Sequence, residues 1–329
     1  MKEAKHYKKG DNKDVYCVLC PHYCKIRDGN AGKCKVRKNI DGTLYTLNYG
    51  KVTSYSYDPI EKKPLYHFYP GTSIFSVGSF GCNLGCDFCQ NWEIVYEESL
   101  MMDISEDDII TLSKAKDSIG IAYTYNEPSI WFEYVLDISK KKRGDIKEES
   151  FKNVMVTNGY INEEPLRELL PYVDAMNIDL KSIEDSFYKS ICKGSIDPVI
   201  RTIEIASKDV HVEVTTMLID GENASFDEIR RLAQRIAEVD PSIPLHLSRY
   251  FPAYKMKLPS TNIETLIQAK NIAKKFLDYV YIGNVWGVDN NSYCPKCYNK
   301  LVDRHLNGEI VGVENGKCKK CQYTLNFKY

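Results

Sequence analysis

The chain has 329 residues, of which 43% are hydrophobic and 27% are charged, and its formal net charge is −1. This length allows one large domain with small appendages, and the apolar fraction is enough for a sizeable core. No apolar run approaches the roughly 18 residues of a membrane span, and the polar N-terminus lacks the apolar stretch of a secretory signal, so we expect a cytoplasmic protein without a membrane partner.

Twelve cysteines are present, and eleven of them fall into three clusters. In a chain without a secretory signal this predicts reduced thiols that bind metal, rather than disulfides. Residues 1–40 are basic, with eleven Lys and Arg against four Asp and Glu. Metal-bound thiolates would offset much of this excess, so we do not expect nucleic-acid binding.

The first cluster lies in an N-terminal module, residues 1–41, which carries four cysteines within eighteen residues: Cys17, Cys20, Cys24 and Cys34. Four thiolates form a closed ligand set, which favours a structural zinc ion. An iron–sulfur cluster is the alternative, because thiolates bind both. His22 lies inside the module and is a candidate to replace one cysteine, although a surface position is the commoner outcome.

Residues 42–72 alternate in polarity, which predicts a connector hairpin. From 73 to 289, short apolar runs alternate with helical patterns, two of which start with capping boxes at Ser225 and Thr261. Strands separated by helices need crossover connections, so we expect an α/β fold with a parallel sheet. Six or seven such units make a partial (β/α) barrel with its chemistry at the carboxyl ends of the strands. The predicted strands cover residues 74–77, 119–123, 154–157, 175–180, 210–218, 245–247 and 279–282.

The second cluster follows the first of these strands, in the stretch GCNLGCDFCQNW, and consists of Cys82, Cys86 and Cys89. Two glycines, Gly81 and Gly85, let the backbone curl so that the three side chains converge. Three thiolates are one short of a closed site, which suggests an iron–sulfur cluster with one iron left open for a substrate. The alternatives are a zinc site with a remote fourth ligand, or three buried thiols.

The CxxxCxxC spacing, with Phe88 before the last cysteine, resembles the signature of radical S-adenosylmethionine (SAM) enzymes. The longer stretches FGCNLGCDFCQNW, CPHYCKIRDGNAGKCKVRKN and DPIEKKPLYHF resemble the radical SAM component of the AmmeMemoRadiSam system. That branch is related to the activating enzymes of pyruvate formate-lyase and other glycyl-radical enzymes. The resemblance implies a partial (β/α)6 TIM-type barrel with a [4Fe–4S] cluster and SAM as cofactors.

The expected strand ends carry polar residues for which the resemblance implies SAM contacts: Asn126, Glu127, Thr157, Asn158, Asp179, Lys181 and Thr215. Glu127 stands where the family has the carboxylate that holds the methionyl amino group. Asp179 and Lys181 match residues near the ribose and carboxylate of SAM, and Thr215 matches a residue beside the adenosyl part. We assign no catalytic acid or base.

The resemblance implies that one electron from a flavodoxin- or ferredoxin-type reductant cleaves SAM to a 5′-deoxyadenosyl radical. That radical abstracts hydrogen from a small molecule or peptide, with proteins of the Memo and AMMECR types as partners. The alternative is formation of a glycyl radical on a partner enzyme. A multi-zinc interaction protein without catalysis is the rival hypothesis, and it leaves the polar strand ends unexplained.

The third cluster is a zinc-ribbon pattern within residues 290–329, with two pairs of cysteines about twenty residues apart: Cys294, Cys297, Cys318 and Cys321. We expect a second, structural zinc ion here, because so small an appendage cannot bury a core of its own. Cys192 is the one cysteine outside a cluster. It is expected to be a small, partly buried hydrophobe, with a radical-relay or substrate-linking thiol as the alternative.

Overall fold

The computed structural model describes residues 1–96, 100–145, 151–306 and 308–329. Its strands are β1 (Lys2–Glu3), β2 (Tyr7–Lys9), β3 (Val15–Cys17), β4 (Lys25–Ile26), β5 (Arg37–Ile40), β6 (Thr43–Thr46), β7 (Lys51–Val52), β8 (Ser54–Pro59), β9 (Ser73–Gly78), β10 (Met102–Asp103), β11 (Ser118–Tyr123), β12 (Lys152–Thr157), β13 (Ala175–Asp179), β14 (His211–Leu218), β15 (Leu245–Arg249), β16 (Val280–Gly283), β17 (Ser292–Tyr293), β18 (Lys300–Asp303), β19 (Glu309–Ile310), β20 (Val313–Glu314) and β21 (Lys317–Cys318). Its α-helices are α1 (Trp92–Tyr96), α2 (Glu106–Ser113), α3 (Phe132–Asp145), α4 (Glu163–Leu169), α5 (Asp185–Phe187), α6 (Asp197–Asp209), α7 (Phe226–Ala237) and α8 (Ile263–Ala273). None of the described helices is long and apolar enough to cross a bilayer.

The central sheet has eight strands in the order β16-β15-β14-β13-β12-β11-β9-β8. The seven strands β9 and β11 to β16 run parallel, and helices lie in the crossovers between them. All seven predicted strands are confirmed, with ends that differ by one or two residues. These strands could be predicted from the sequence because a strand buried on both faces is apolar along most of its length.

The eighth strand, β8, is antiparallel to β9 and comes from the connector, which forms no hairpin within residues 42–72. The hairpin lies one element earlier, where β5 pairs with β6. Asp41 and Gly42 form its turn with φ angles of 52° and 78°. An Asp-Gly pair favours this type of two-residue turn because both residues tolerate positive φ.

Both predicted helix starts are present, but only one has the predicted cap. The Ser225 side chain accepts a hydrogen bond from the backbone N–H of Glu228, as expected for α7. Helix α8 is capped instead by Asn262, whose side chain accepts from the N–H of Glu264. The Thr261 hydroxyl is used elsewhere, because it donates to the backbone oxygen of Leu218 and accepts from the N–H of Tyr250.

A buried polar cluster lies in the interior of the main domain, below the carboxyl ends of the strands. The Glu213 carboxylate accepts hydrogen bonds from the ring nitrogens of His211 at 3.0 Å and His246 at 2.6 Å, and from the N–H of His67 at 2.7 Å. The His67 ring stacks on Phe327, at a centroid distance of 3.8 Å. The connector and the C-terminal region therefore meet at this polar cluster.

Candidate active site

The carboxyl ends of the parallel strands surround a cavity of about 270 Å³. Polar and sulfur-bearing side chains converge there from the ends of five strands and from the loop that carries Cys82, Cys86 and Cys89, here called the cysteine loop, although their sequence positions span more than 160 residues. Its lining includes Cys82, Cys86, Cys89, Gln90, Asn126, Glu127, Thr157, Asn158, Asp179, Lys181, Thr215, Met217 and Ser248. Every residue for which a SAM contact was predicted is in this lining.

The cysteine loop owes its course to Gly81, which has a φ of +82°. A Cβ at this position would lie 2.7 Å from the backbone oxygen of Cys34, so the loop packs directly on the N-terminal module. Gly85 has no positive φ, and a Cβ there would first meet the flexible side chain of Lys193 at 3.1 Å. Only one of the two glycines is therefore required by the backbone conformation.

Two hydrogen bonds reach the sulfur of Cys82, from the N–H of Leu84 at 3.4 Å and from the amide of Asn158 at 3.6 Å. Burial raises the pKa of the Cys82 thiol well above its usual value. Cys82 is half-buried, and its sulfur, which accepts two hydrogen bonds, is suited to a thiolate, which needs a cation beside it when it is shielded from water. The site therefore fits a metal centre better than free thiols.

The sulfurs of Cys82, Cys86 and Cys89 are not all within 4.8 Å of one another, whereas single-ion sites have more tightly spaced ligands. This arrangement fits a cluster in which each thiolate binds a different iron. Cys192 is fully buried next to this set rather than partly exposed. A hydrogen bond from its thiol lowers the pKa of Cys86.

Glu127 lies at the end of the loop after β11 and is almost fully buried. Its carboxylate accepts hydrogen bonds from the N–H of Ser129 at 2.9 Å, the hydroxyl of Thr157 at 2.6 Å and the N–H of Asn158 at 2.7 Å. Burial raises the pKa of Glu127 above its ordinary value, against the effect of these donors. Each carboxylate oxygen has two lone pairs, so the group retains capacity for a further donor.

The segment before Glu127 contains no glycine, although its backbone adopts a conformation that is typical of glycine. Tyr125 has a φ of 69°, a conformation that usually favours glycine. The Tyr125 hydroxyl is anchored to Asp58 at 3.1 Å, and its ring lies 4.9 Å from the ammonium group of Lys63. Asn126 uses its amide to hold the cysteine loop, since it accepts from Ser79 N–H at 2.9 Å and donates to the backbone oxygen of Gly81 at 3.2 Å.

Asp179 and Lys181 form an ion pair of 2.9 Å at the end of β13. Burial alone would lower the pKa of Lys181, but the negative charges of Asp179 and Cys86 raise it well above its ordinary value. Lys181 is therefore a permanent cation in the cavity wall. Thr215 donates to the side-chain oxygen of Asn177 at 2.9 Å, so this hydroxyl already has a protein partner.

Sequence reasoning did not select Met217, which forms part of the cavity wall. Met217 lies two residues after Thr215 on β14, and side chains two apart in a strand point to the same face. The Gln90 amide lies 3.7 Å from the Met217 sulfur, which links this wall to the cysteine loop. The two-residue period of β14 was the available signal, and a search confined to polar residues missed it.

The four C-terminal cysteines are brought together as predicted, with all sulfurs within 4.8 Å of one another. The Cys294–Cys321 and Cys297–Cys318 sulfur pairs are each 3.6 Å apart. The four N-terminal cysteines line one small cavity, together with His22 and Arg37. The His22 ring forms a hydrogen bond outside this cavity, because its Nε2 lies 2.6 Å from the backbone oxygen of Asn83 in the cysteine loop.

The family model of the radical SAM superfamily matches residues 76–233. The chain is 42% identical to "Uncharacterized protein MJ0808" of Methanocaldococcus jannaschii, over 98% of both chains. It is 26% identical to the pyruvate formate-lyase-activating enzyme of Clostridium pasteurianum, over 51% of this chain and 72% of that enzyme. A solved domain of such an activating enzyme from Bacteroides vulgatus is 24% identical with a TM-score of 0.42, over 50% of this chain and 99% of the domain.

The match begins within β9, contains the whole cysteine loop and continues through the strands that contribute Glu127, Asp179 and Thr215 to the cavity. Three cysteines with the family spacing face that cavity, and their sulfurs fit a cluster better than a single ion. The chain therefore belongs to the radical SAM superfamily and is an enzyme that uses radical chemistry.

Proposed function

We propose that Cys82, Cys86 and Cys89 hold a [4Fe–4S] cluster, and that SAM binds in the cavity beside them. The observation that carries this proposal is the convergence of three thiols, an ion pair and a buried carboxylate on one cavity of about 270 Å³. Once reduced by an external one-electron donor, such a cluster would supply the electron that cleaves SAM to methionine and a 5′-deoxyadenosyl radical, which would abstract hydrogen from a small molecule or peptide.

The roles of the remaining wall residues follow from their charges and contacts. Glu127 offers a fixed carboxylate for the methionyl ammonium group, since three protein donors hold it in one orientation. Lys181 offers a cation for the methionyl carboxylate, and Asp179 accepts from the ribose hydroxyls. Asn126, Thr157, Asn158 and Thr215 act mainly by positioning, because each has a protein partner near the cavity.

A second candidate function is the formation of a glycyl radical on a partner enzyme. The similarity to an enzyme that activates pyruvate formate-lyase favours this candidate. Both functions start with the same cleavage of SAM to a radical. They differ only in the molecule that reaches the open side of the cavity and loses hydrogen to this radical. We further propose membership of the AmmeMemoRadiSam system, with Memo- and AMMECR-type partners, on the basis of the sequence stretches that resemble it.

The proposed architecture has a partial barrel at 73–289, an N-terminal module at 1–41, a connector at 42–72 and a C-terminal ribbon at 290–329. A zinc ion in the ribbon is supported by four thiols spaced for one tetrahedral ion. We propose a cytoplasmic location and a flavodoxin- or ferredoxin-type reductant. Both fit the oxygen-sensitive, one-electron chemistry of such clusters.

The first test is to incubate the anaerobically purified, reduced protein with SAM and to quantify methionine and 5′-deoxyadenosine by mass spectrometry. Wild type is expected to form both in equal amounts, whereas Cys86→Ala loses both together with the iron of this site. Formation of 5′-deoxyadenosine by Cys86→Ala would contradict the proposal.

The second test separates the two substrate classes. Peptide and metabolite fractions from cells grown in deuterated medium are added, and deuterium in 5′-deoxyadenosine reports hydrogen abstraction from a fraction. A candidate glycyl-radical enzyme is tested in parallel by electron paramagnetic resonance. Deuterium transfer from a low-mass fraction supports the first function, and a glycyl signal supports the second.

A further inference from the structure

The N-terminal module holds four cysteines around one small cavity, remote in sequence from the cysteine loop. Cys17, Cys20 and Cys34 are buried, and Cys24 is half-buried. Cys17 ends β3 and Cys24 immediately precedes β4, and the N–H of Cys17 donates to the backbone oxygen of Cys24 at 3.0 Å. The module therefore brings four potential metal ligands together around one cavity.

The sulfur spacing distinguishes the two ends of the chain. With zinc–sulfur bonds of about 2.3 Å, tetrahedral geometry brings all four sulfurs to roughly 3.8 Å from one another. The C-terminal set meets this requirement, with two sulfur pairs at 3.6 Å. In the part of the chain that the structure describes, no three N-terminal cysteine sulfurs lie mutually within 4.8 Å. These four share their wider spacing with Cys82, Cys86 and Cys89, not with the ribbon.

A buried arginine supplies an independent observation. Arg37 is 1% exposed, lines the same cavity, and donates from Nη1 to the sulfur of Cys17 at 3.4 Å. Its other terminal nitrogen pairs with Glu133, and both the Arg37 Nε and the second carboxylate oxygen of Glu133 are buried without a hydrogen-bond partner among the described residues. A zinc–thiolate site offers no acceptors besides the thiolates. An iron–sulfur cluster adds bridging sulfides, which accept hydrogen bonds from such donors.

The geometry points to a second iron–sulfur cluster, of the [4Fe–4S] type, held by Cys17, Cys20, Cys24 and Cys34. This cluster takes the place of the structural zinc ion that a closed set of four cysteines favours. Each of the four thiolates would bind a different iron. The cluster has no open iron, so it carries electrons rather than SAM. Its ligand Cys34 would adjoin the cysteine loop, because Gly81 packs on the backbone oxygen of Cys34.

The test uses the full chain with the cysteine loop disabled, as the triple variant Cys82→Ser, Cys86→Ser, Cys89→Ser. After anaerobic purification and reconstitution with iron and sulfide, we expect about four irons, about four sulfides and about one zinc per chain. A chain with about two zinc ions and no sulfide would overturn the proposal.

The reciprocal variant Cys24→Ser keeps the experiment decisive if the triple variant does not fold. It is expected to lose about half of the iron of wild type, with the zinc content unchanged. After reduction with dithionite, SAM should alter the whole remaining paramagnetic signal in Cys24→Ser but only part of it in wild type. Unchanged iron with lost zinc would overturn the proposal and leave the radical SAM assignment intact.

Discussion

The N–H of Asn158 donates to the Glu127 carboxylate at 2.7 Å, while the Asn158 side chain reaches the Cys82 sulfur at 3.6 Å. This one residue therefore links the buried carboxylate to the cysteine that is proposed to hold iron. Hydrogen bonds to ligand sulfurs stabilise the reduced, more negative form of an iron–sulfur cluster. The amide of Asn158 is thus placed to set how easily the cluster is reduced.

Replacement of this amide should lower the reduction potential without removal of the cluster. We expect Asn158→Leu to retain its iron and to shift the potential by tens of millivolts to more negative values. A redox titration monitored by electron paramagnetic resonance measures the shift. Asn162→Ala is the control, because its amide donates to the Val18 backbone oxygen and not to a sulfur. Equal potentials in both variants would contradict this role of Asn158.

Loss of the cavity cation should weaken SAM binding. Charge-assisted hydrogen bonds contribute about 1.5–3 kcal/mol, so Lys181→Met should bind SAM roughly 10- to 100-fold more weakly. Anaerobic calorimetry on the cluster-loaded protein measures the affinity. Lys189→Met is the matched control, since Lys189 forms an exposed pair with Asp185 at 2.6 Å on a neighbouring turn. SAM binding by Lys181→Met at the wild-type level would contradict the proposed contact.

The two glycines of the cysteine loop should differ in their tolerance of a side chain. Gly81→Ala places a Cβ against the Cys34 backbone oxygen in a left-handed conformation, with a strain of roughly 1–3 kcal/mol. We expect this variant to lose iron and stability, as measured by iron content and thermal unfolding. Gly85→Ala meets only a flexible lysine side chain and should remain close to wild type. The reverse order of tolerance would contradict the close packing of Gly81 on the N-terminal module.

The buried polar cluster around Glu213 should make stability depend on pH. Burial alone would raise the pKa of Glu213, but hydrogen bonds from His211 and His246 hold it well below its ordinary value. The ionised Glu213 carboxylate therefore stabilises the folded protein fully above about pH 4.3, the pKa of a glutamate in the unfolded chain. This stabilisation is lost as the pH falls through the lower pKa of Glu213 in the folded state.

Glu213→Gln should accordingly destabilise the protein at pH 7, because it weakens two hydrogen bonds to a charged group, each of which contributes about 1.5–3 kcal/mol. Thermal unfolding at several pH values should show the gap to wild type narrow as the pH is lowered. The exposed Glu222→Gln is the control and should follow wild type at every pH. A constant gap over the acid range would contradict the assignment.

Zinc removal should affect the ribbon and not the cavity. We expect Cys297→Ser to lose about one zinc per chain and to lower the unfolding temperature, since small metal sites contribute directly to folding. Tyr298→Ser, at the adjacent exposed position, should keep its zinc. Metal analysis and calorimetry measure both effects. A changed iron content in Cys297→Ser would contradict the separation of the two sites.

Much of the main domain was predictable because its signals are local. Buried parallel strands are apolar along their length, and the polar residues that follow them share one edge of the sheet. The pairing of β8 with β9 was not predictable, because Ser54–Pro59 is rich in polar and aromatic residues and its partner is chosen by long-range packing. The hairpin was misplaced although the Asp41-Gly42 turn was a readable signal.

The sequence allowed us to predict which residues line the candidate cavity, but not which contacts each side chain makes there. Glu127 and Asn126 both line the cavity, but hydrogen-bond partners distant in sequence decide which atoms remain available. The left-handed backbone at Tyr125 likewise depends on its anchor at Asp58, 67 residues earlier. Such roles follow from three-dimensional contacts that a motif does not encode.

The position of β8 bears on any attempt to study the main domain as a separate fragment. A fragment that starts at residue 73 would leave β9 as an open sheet edge with a row of unpaired backbone donors and acceptors. Such edges recruit strands from other molecules, so the shortened protein should precipitate or form intermolecular sheets. The connector therefore covers the edge of the strand that leads to Cys82, Cys86 and Cys89, and we expect it to protect the whole protein from aggregation through that edge.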